Sequence, residues 1–466
     1  MSAASPCTRR GSRRRIVLAG AGAVAVLATT NAAAATVQPM ASTPSPLVGM
    51  QDDRVIQADP LVRMRMMADA GARVARVDLR WDRVATRAPA DASDPGDPAY
   101  DWTTYDQVVA AARRYRMEVL FTVWGTPSWA VDTALFAYGD LSYGTASFAP
   151  RDPGDLGRFA QAAARRYAPL GVHKWEGWNE PNVPMYLQPQ YTRVNGLPVA
   201  ASPAIYSGLQ RAFYEGIKSI DPRSQVAGVV TSPAGNPGGL DPTRVVPMTF
   251  VRLLGRAGLR PPMDVVSHHP YPVRARTDKP TPPGRAYADL YNLRDMITAV
   301  DSTYLRGKKL WLTEYGFSTS SVPEYRVIVS PKGQAANIAD AHWRLSTNRR
   351  VSMAVYYLLQ DHPGWRSGLY TQNGAAKPGR QAYSLPMWAR GRLVYGQVRN
   401  ATGRTRVAIQ QRRGNRWVTA RTVTTTADGS FRVRVTGRAQ LRAQWRGTAR
   451  TGQRVTRISI PVRVTA

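Results

Sequence analysis

Lys174-Trp175-Glu176-Gly177-Trp178-Asn179-Glu180-Pro181-Asn182 reads as a buried strand that runs straight into an acid. Tryptophans favour a pleated surface and Pro181 cannot continue a sheet ladder, so the strand is expected to stop with Asn179 and Glu180 at its carboxyl end. Taken alone, Glu180 could equally be a strand-terminal charge meeting solvent. Lys309-Leu310-Trp311-Leu312-Thr313-Glu314-Tyr315-Gly316-Phe317 repeats the pattern: an apolar strand delivers one glutamate and then loses regularity at a glycine.

Two carboxylates on two strand ends are the minimum apparatus for cleaving a glycosidic bond, one to protonate the leaving oxygen and one to attack the anomeric carbon. The two glutamates stand 134 positions apart, 314 against 180. That leaves room for three β-α units at roughly 30 or more residues each, the interval from the fourth to the seventh strand of a barrel.

With both motifs in register, the sequence resembles the retaining glycoside hydrolases of clan A. These place an acid/base after an asparagine on strand four and a nucleophile at the end of strand seven. The Trp-Glu-Gly-Trp-Asn-Glu-Pro-Asn run looks most like family 39 and its neighbours, including cellulase-like family 5, and the resemblance covers most of the chain before about residue 390. It implies Glu180 as acid/base, Glu314 as nucleophile and Asn179 as the partner of a sugar 2-hydroxyl. Arg76, in Arg76-Val77-Asp78-Leu79-Arg80-Trp81, resembles the clan's second-strand arginine near the nucleophile, though an ion pair with Glu176 or Asp78 would explain it as well. His269 and Tyr271, in the His-Pro-Tyr ending of strand six, are implied as supporting or substrate contacts.

The rest of the chain supplies the other strands. Leu47–Met50, Val74–Trp81, Val119–Trp124, Gln225–Thr231, Asp264–Tyr271 and Met353–Asp361 read as strands, giving eight with the two above. Segments with helical spacing lie between them, among them Pro60–Ala70, Tyr105–Tyr115, the helix opened by Asp155, the one begun by Ser202-Pro203 with Ser202 as cap, and Gln334–Thr347. Alternating strands and helices predict a parallel sheet closed as a (β/α)₈ barrel, with chemistry at the carboxyl ends of its strands. The loop from Ser128 to Pro150 is long, as functional loops tend to be. Aromatic faces suit the apolar faces of sugars, which makes Trp81, Trp124, Tyr315, Tyr357 and Trp365 candidates for substrate binding, each with core or rim packing as the alternative. Glu180 is expected to have a raised pKa and Glu314 to stay ionised beside Arg76.

No cofactor and no metal are expected. Adjacent His268 and His269 point to opposite sides of a strand, and the five histidines include no His-x-x-x-His pair. The one cysteine, Cys7, lies in a segment expected to be removed. In that segment Arg9, Arg10, Arg13, Arg14 and Arg15 precede the apolar run Ile16–Ala28 and then Ala32–Ala35, the layout of a secretory signal over residues 1–35, by general secretion or twin-arginine export. The run is too short to span a bilayer, so a secreted, extracellular or wall-associated protein without a membrane anchor is expected.

After the barrel domain, residues 36–389, the texture changes. Short alternating strands separated by glycine turns, such as Val407–Gln410, Phe431–Val435 and Leu441–Trp445, predict a small antiparallel sandwich over residues 390–466, resembling the immunoglobulin-like appendages of secreted bacterial proteins. With no Pro- or Ser-rich linker before it, the sandwich is expected to pack on the barrel. It carries 18 arginines, no lysine and one acid, Asp428, within a chain of formal charge +32. Biased coding explains arginine in place of lysine but not the missing acids. A surface this positive attracts polyanions such as an anionic cell-wall polymer or acidic polysaccharide. Nucleic acid is the weaker expectation, since no recognised motif is present. Two function classes follow: a glycosidase acting on β-linked oligo- or polysaccharide, or a barrel without turnover serving as a surface adhesin through the arginine-rich domain.

Overall fold

A computed structural model of the chain describes residues 35–42, 45–235, 243–277, 279, 284–321 and 327–465. The expected signal segment, apart from Ala35, lies outside the described residues. Eight parallel strands close into a barrel in chain order: Leu47–Gln51, Val74–Arg80, Glu118–Trp124, Lys174–Gly177, Gln225–Thr231, Val265–His268, Leu310–Tyr315 and Val351–Tyr357. Helices such as Pro60–Ala70, Pro153–Tyr167 and Pro331–Ser346 start at prolines that pre-set the first helical φ. Asp59, Asp152 and Ser330 cap them with side-chain oxygens. The helix expected to be capped by Ser202 instead has Ala201 as its cap, because the Ser202 hydroxyl is turned to Gln190.

Inward-facing residues fill the barrel in layers. Val74, Leu120, Val265, Trp311, Met353 and Val355 make an apolar floor. Above it the interior is polar: Arg76, Thr122, Glu176, Ser267 and Thr313 are all fully buried. The aromatic core lies outside the strands, where Trp102 and Phe159 stack at 5.4 Å and Phe121 meets Trp175 at 5.7 Å. Among the described residues, no helix is long and apolar enough to cross a membrane.

The sandwich pairs a four-stranded sheet with a five-stranded one over a core that includes Val394, Phe431, Ile409 and Trp445. Its first sheet recruits two strands from before residue 390. Val37–Met40 pairs with Ser430–Val435, and Met387–Arg390 pairs with Leu393–Gln397. The expected boundary at 390 therefore falls inside a strand, and part of the stretch assigned to the barrel belongs to the other sheet. Val37–Met40 is an edge strand, the place where Pro39 is tolerated. As expected without a linker, sandwich and barrel are joined by direct bonds. Asn400 Nδ2 donates to the carbonyls of Ala68 and Asp69 at 3.1 Å each, and Thr451 donates to Asp69 at 2.7 Å.

Candidate active site

Strand four ends at Gly177, and two residues beyond it take left-handed backbone conformations, Trp178 at φ 70° and Glu180 at φ 38°. Such geometry costs of order 1–3 kcal/mol per residue and persists only where the surroundings enforce it. Here Trp178 Nε1 donates to the Tyr186 carbonyl at 2.7 Å and its backbone NH to Val123 at 2.9 Å, which fixes the turn and aims Glu180 into the barrel mouth.

Strand seven delivers Glu314 by a different device. Trp311 and Thr313 face the interior, so simple alternation would send Glu314 outward. The pairing register with strand eight shifts between Leu312 and Tyr315, and Thr313 and Glu314 both reach inside. Tyr315 is consequently turned outward, packed edge-on against Tyr356 at 5.5 Å, and does not line the cavity expected of it. Trp81 fails as a substrate contact for a related reason. Strand two turns Arg76 and Asp78 inward and stops at Arg80, so Trp81 opens a short helix whose ring stacks on Phe159 in the outer core.

Arg76 is the hub. Fully buried, it donates Nε to Glu176 at 2.7 Å, Nη1 to Gln51 and Glu314 at 2.5 Å each, and Nη2 to Asn179 at 2.8 Å. The pairing with Glu176 and the contact with Glu314 thus hold together, and Asp78 lies 3.7 Å away. Burial alone would raise the Glu176 carboxyl, but Arg76 and the hydroxyls of Ser267 and Thr122 hold it below its ordinary value. Asp78, beside its neighbour Asp53, is pushed up to about 7, first by burial and then by Asp53's charge.

Glu314 accepts a second bond from the Tyr271 hydroxyl at 2.8 Å. Glu180 lies 2.8 Å from His269 Nδ1, which is 3.8 Å from Glu314. One atom from each of Glu180, His269 and Glu314 falls within 4.8 Å of the others. The trio has the makeup of a metal-binding set, but the guanidinium bonded to Glu314 already supplies a fixed positive charge, which disfavours a second cation. Burial lowers His269 to about 4, so its ring is neutral at ordinary pH. A neutral His269 protonated on Nδ1 donates to Glu180. Burial pushes the Glu314 carboxyl above its usual value, while His269 and Arg76 act to lower it.

A cavity of about 390 Å³ opens over these groups, lined by Glu180, Tyr186, Tyr271, Glu314, Tyr357 and Trp365, with Ser232 and Arg244 on the side of strand five. Tyr271, Tyr357 and Trp365 pack edge to face, with centroids 5.4–6.2 Å apart. Trp124 meets Tyr186 edge-on at 5.0 Å and has the Arg80 guanidinium over its ring at 3.8 Å, without lining the cavity itself. Tyr186, Ser232 and Arg244 come from irregular loops and carry no periodic signal. The sequence marks Glu176 only as an alternative ion-pair partner of Arg76, which it is.

No family model and no curated protein matches the chain. Solved structures do. A family 39 glycoside hydrolase from the gut symbiont Bacteroides cellulosilyticus WH2 is 17% identical, with a TM-score of 0.52 over 84% of this chain and 81% of that one. The family 39 enzyme from Xanthomonas axonopodis pv. citri is 17% identical, with a TM-score of 0.54 over 92% and 95%. A family 39 β-xylosidase from Caulobacter crescentus is 18% identical, with a TM-score of 0.52 over 85% and 96%. The chain is thus a (β/α)₈ barrel with an appended β domain, and its structural neighbours are glycoside hydrolases of family 39.

Proposed function

We propose that the chain is a retaining glycoside hydrolase acting on β-linked oligo- or polysaccharide. The observation that carries this reading is that one carboxylate oxygen of Glu180 and one of Glu314 lie within 4.8 Å of each other in the cavity lining. Retaining enzymes hold their two carboxyl groups about 5–5.5 Å apart, whereas inverting ones leave about 6.5–9.5 Å for an intervening water.

In the first step a Glu314 oxygen bonds to the anomeric carbon while the bond to the leaving oxygen breaks, and Glu180 gives that oxygen its proton. In the second, water gives a proton to Glu180 and its oxygen to the anomeric carbon, which releases Glu314. Arg76 and Tyr271 hold Glu314 in place for attack, and His269 orients Glu180. Asn179 spends its carbonyl on Arg76, leaving its amide group for the sugar 2-hydroxyl. Tyr357 and Trp365 offer ring faces to the sugar. Export by the arginine-led segment before residue 36 belongs to the same proposal.

The test is a panel of aryl β-glycosides and polysaccharides, xylosides first in view of the Caulobacter neighbour. Glu180→Gln and Glu314→Gln should each lower turnover of a responsive substrate by about a thousandfold or more. Full activity in either variant would remove that residue from its role.

A further inference from the structure

The amino ends of barrel strands one, two and three, at Leu47, Val74 and Glu118, lie at the opposite end of the barrel from Glu180 and Glu314. The sandwich is attached there, and arginines from both bodies converge along the seam. Arg65 and Arg114 come from the helices Pro60–Ala70 and Thr103–Arg114, Arg73 and Arg116 precede strands two and three, and Arg450 sits in a turn of the sandwich. They border two adjoining hollows of about 520 and 400 Å³, which share Arg116, Thr402 and Arg450.

These cations are short of counter-charge. Among the described residues, no carboxylate lies within ion-pair distance of Arg73, Arg114, Arg116 or Arg450. Glu118 is taken by Lys174 at 2.5 Å, and Asp69 accepts the Thr451 hydroxyl with Arg65 at 3.9 Å. Arg450 is fixed in the seam by bonds to the Ala72 carbonyl at 3.1 Å and to the Arg116 carbonyl. Burial, and then the neighbouring Arg73, bring its pKa down to about 10, with the Glu118 carboxylate, which lines the smaller hollow, opposing them. Arg450 is thus fixed close to Arg73 and Arg116, so a bound anion would relieve the repulsion and gain forked, charge-assisted bonds.

We propose that this seam is a binding site for a flexible polyanion, an acidic glycan or polyol chain bearing repeated phosphate, sulfate or carboxylate groups. Five arginines along two joined hollows suit several successive anions better than one. Tyr115 is the aromatic side chain lining them, which is little for stacking bases and favours a glycan over nucleic acid. Bound at the far end of the barrel, such a chain would be held without being presented to Glu180 and Glu314, so the site is a tether. It does not depend on the hydrolase reading.

The test uses the full chain and fluorescently labelled dextran sulfate, polyphosphate and polygalacturonate, with neutral dextran and duplex DNA alongside, measured by anisotropy at low and high salt. At least one acidic polymer should bind at low salt and weaken at high salt. The exposed pair Arg65→Glu with Arg114→Glu should weaken it by about tenfold, whereas the same charge change at a sandwich hairpin, Arg413→Glu with Arg416→Glu, should cost under about threefold. Should the double reversal fail to fold, Arg114→Gln alone should still weaken binding more than Arg413→Gln. Equal losses in the two pairs, tighter binding of duplex DNA than of every acidic polymer, or no low-salt binding would overturn the proposal.

Discussion

Arg76 and Glu314 meet at 2.5 Å inside the barrel although 238 positions separate them in the chain. The same guanidinium satisfies Glu176, Gln51 and Asn179, so it is at once a structural charge and the residue that positions the attacking group. A lysine keeps the charge but cannot reach four acceptors as a planar fork does. Arg76→Lys should lower kcat/KM by about a hundredfold or more. Arg76→Met, which leaves buried Glu176 without a counter-ion, should cost about 3–5 kcal/mol in urea unfolding. A loss below about 1 kcal/mol would show that the network is not holding the barrel interior together.

Tyr271 donates its hydroxyl to Glu314 and so favours the ionised carboxyl. Burial raises Glu314, and attack needs it deprotonated, so kcat/KM should fall as pH drops through a value above the ordinary 4.5. Removing the donor makes the anion harder to form. Tyr271→Phe should therefore move the acidic limb upward by about half to one pH unit, the worth of one hydrogen bond. A limb that stays put or moves down would dissociate it from Glu314.

His268 is fully buried between Thr231 and the Ala288 carbonyl, and burial lowers it from 6.5 to about 4. The unfolded chain takes up the proton near 6.5 while the native one refuses it to about 4. The stability gained from a neutral ring is therefore complete above 6.5 and lost as pH falls across that window. Asp78 and Asp52, raised to about 7 and about 6, act in the opposite sense, so the informative quantity is a difference between two proteins. His268→Gln should be less stable than the parent at pH 7, and the gap should shrink by roughly 2–3 kcal/mol by pH 4. A gap that is constant or widens towards acid would mean that the ring is protonated in the native state.

Asn400 closes the end of the helix Pro60–Ala70 from the sandwich side, and next to it Gly71 sits at φ 103° with Arg399 so near that an added Cβ would lie 2.6 Å from Arg399 Cβ. Asn400→Ala should cost about 1–2 kcal/mol in thermal or urea unfolding. Gly71→Ala should cost more, because strain in the left-handed region adds to the clash. If both changes proved neutral, sandwich and barrel would be stable independently of this seam.

Much of this architecture was legible because apolar runs stop at Pro, Gly or an acid, and two of those acids are the ones brought face to face. What escaped the sequence depended on register or on distant partners. Nothing in Leu312-Thr313-Glu314-Tyr315 announces the shift that turns Glu314 in and Tyr315 out, and Val37–Met40 finds its strand partner some 400 positions later. The hairpin Tyr191–Val194 with Leu197–Ala200 carried a local signal, since Asn195-Gly196 at φ 50° and 78° suits a tight turn. Its exposed Val194 and Leu197, however, give it no buried face to read. Tyr186 and Arg244 enter the cavity from loops, where no periodicity exists to point at them.

The central claim is that Glu314 forms a bond to the sugar. It is tested most directly by incubating the protein with the 2-deoxy-2-fluoro dinitrophenyl form of whichever glycoside it hydrolyses, then mapping the trapped adduct by mass spectrometry. The account predicts one sugar per chain, on the peptide containing Glu314, and none in Glu314→Gln. An adduct on Glu180, or steady turnover that inverts the anomeric centre with no adduct at all, would contradict it.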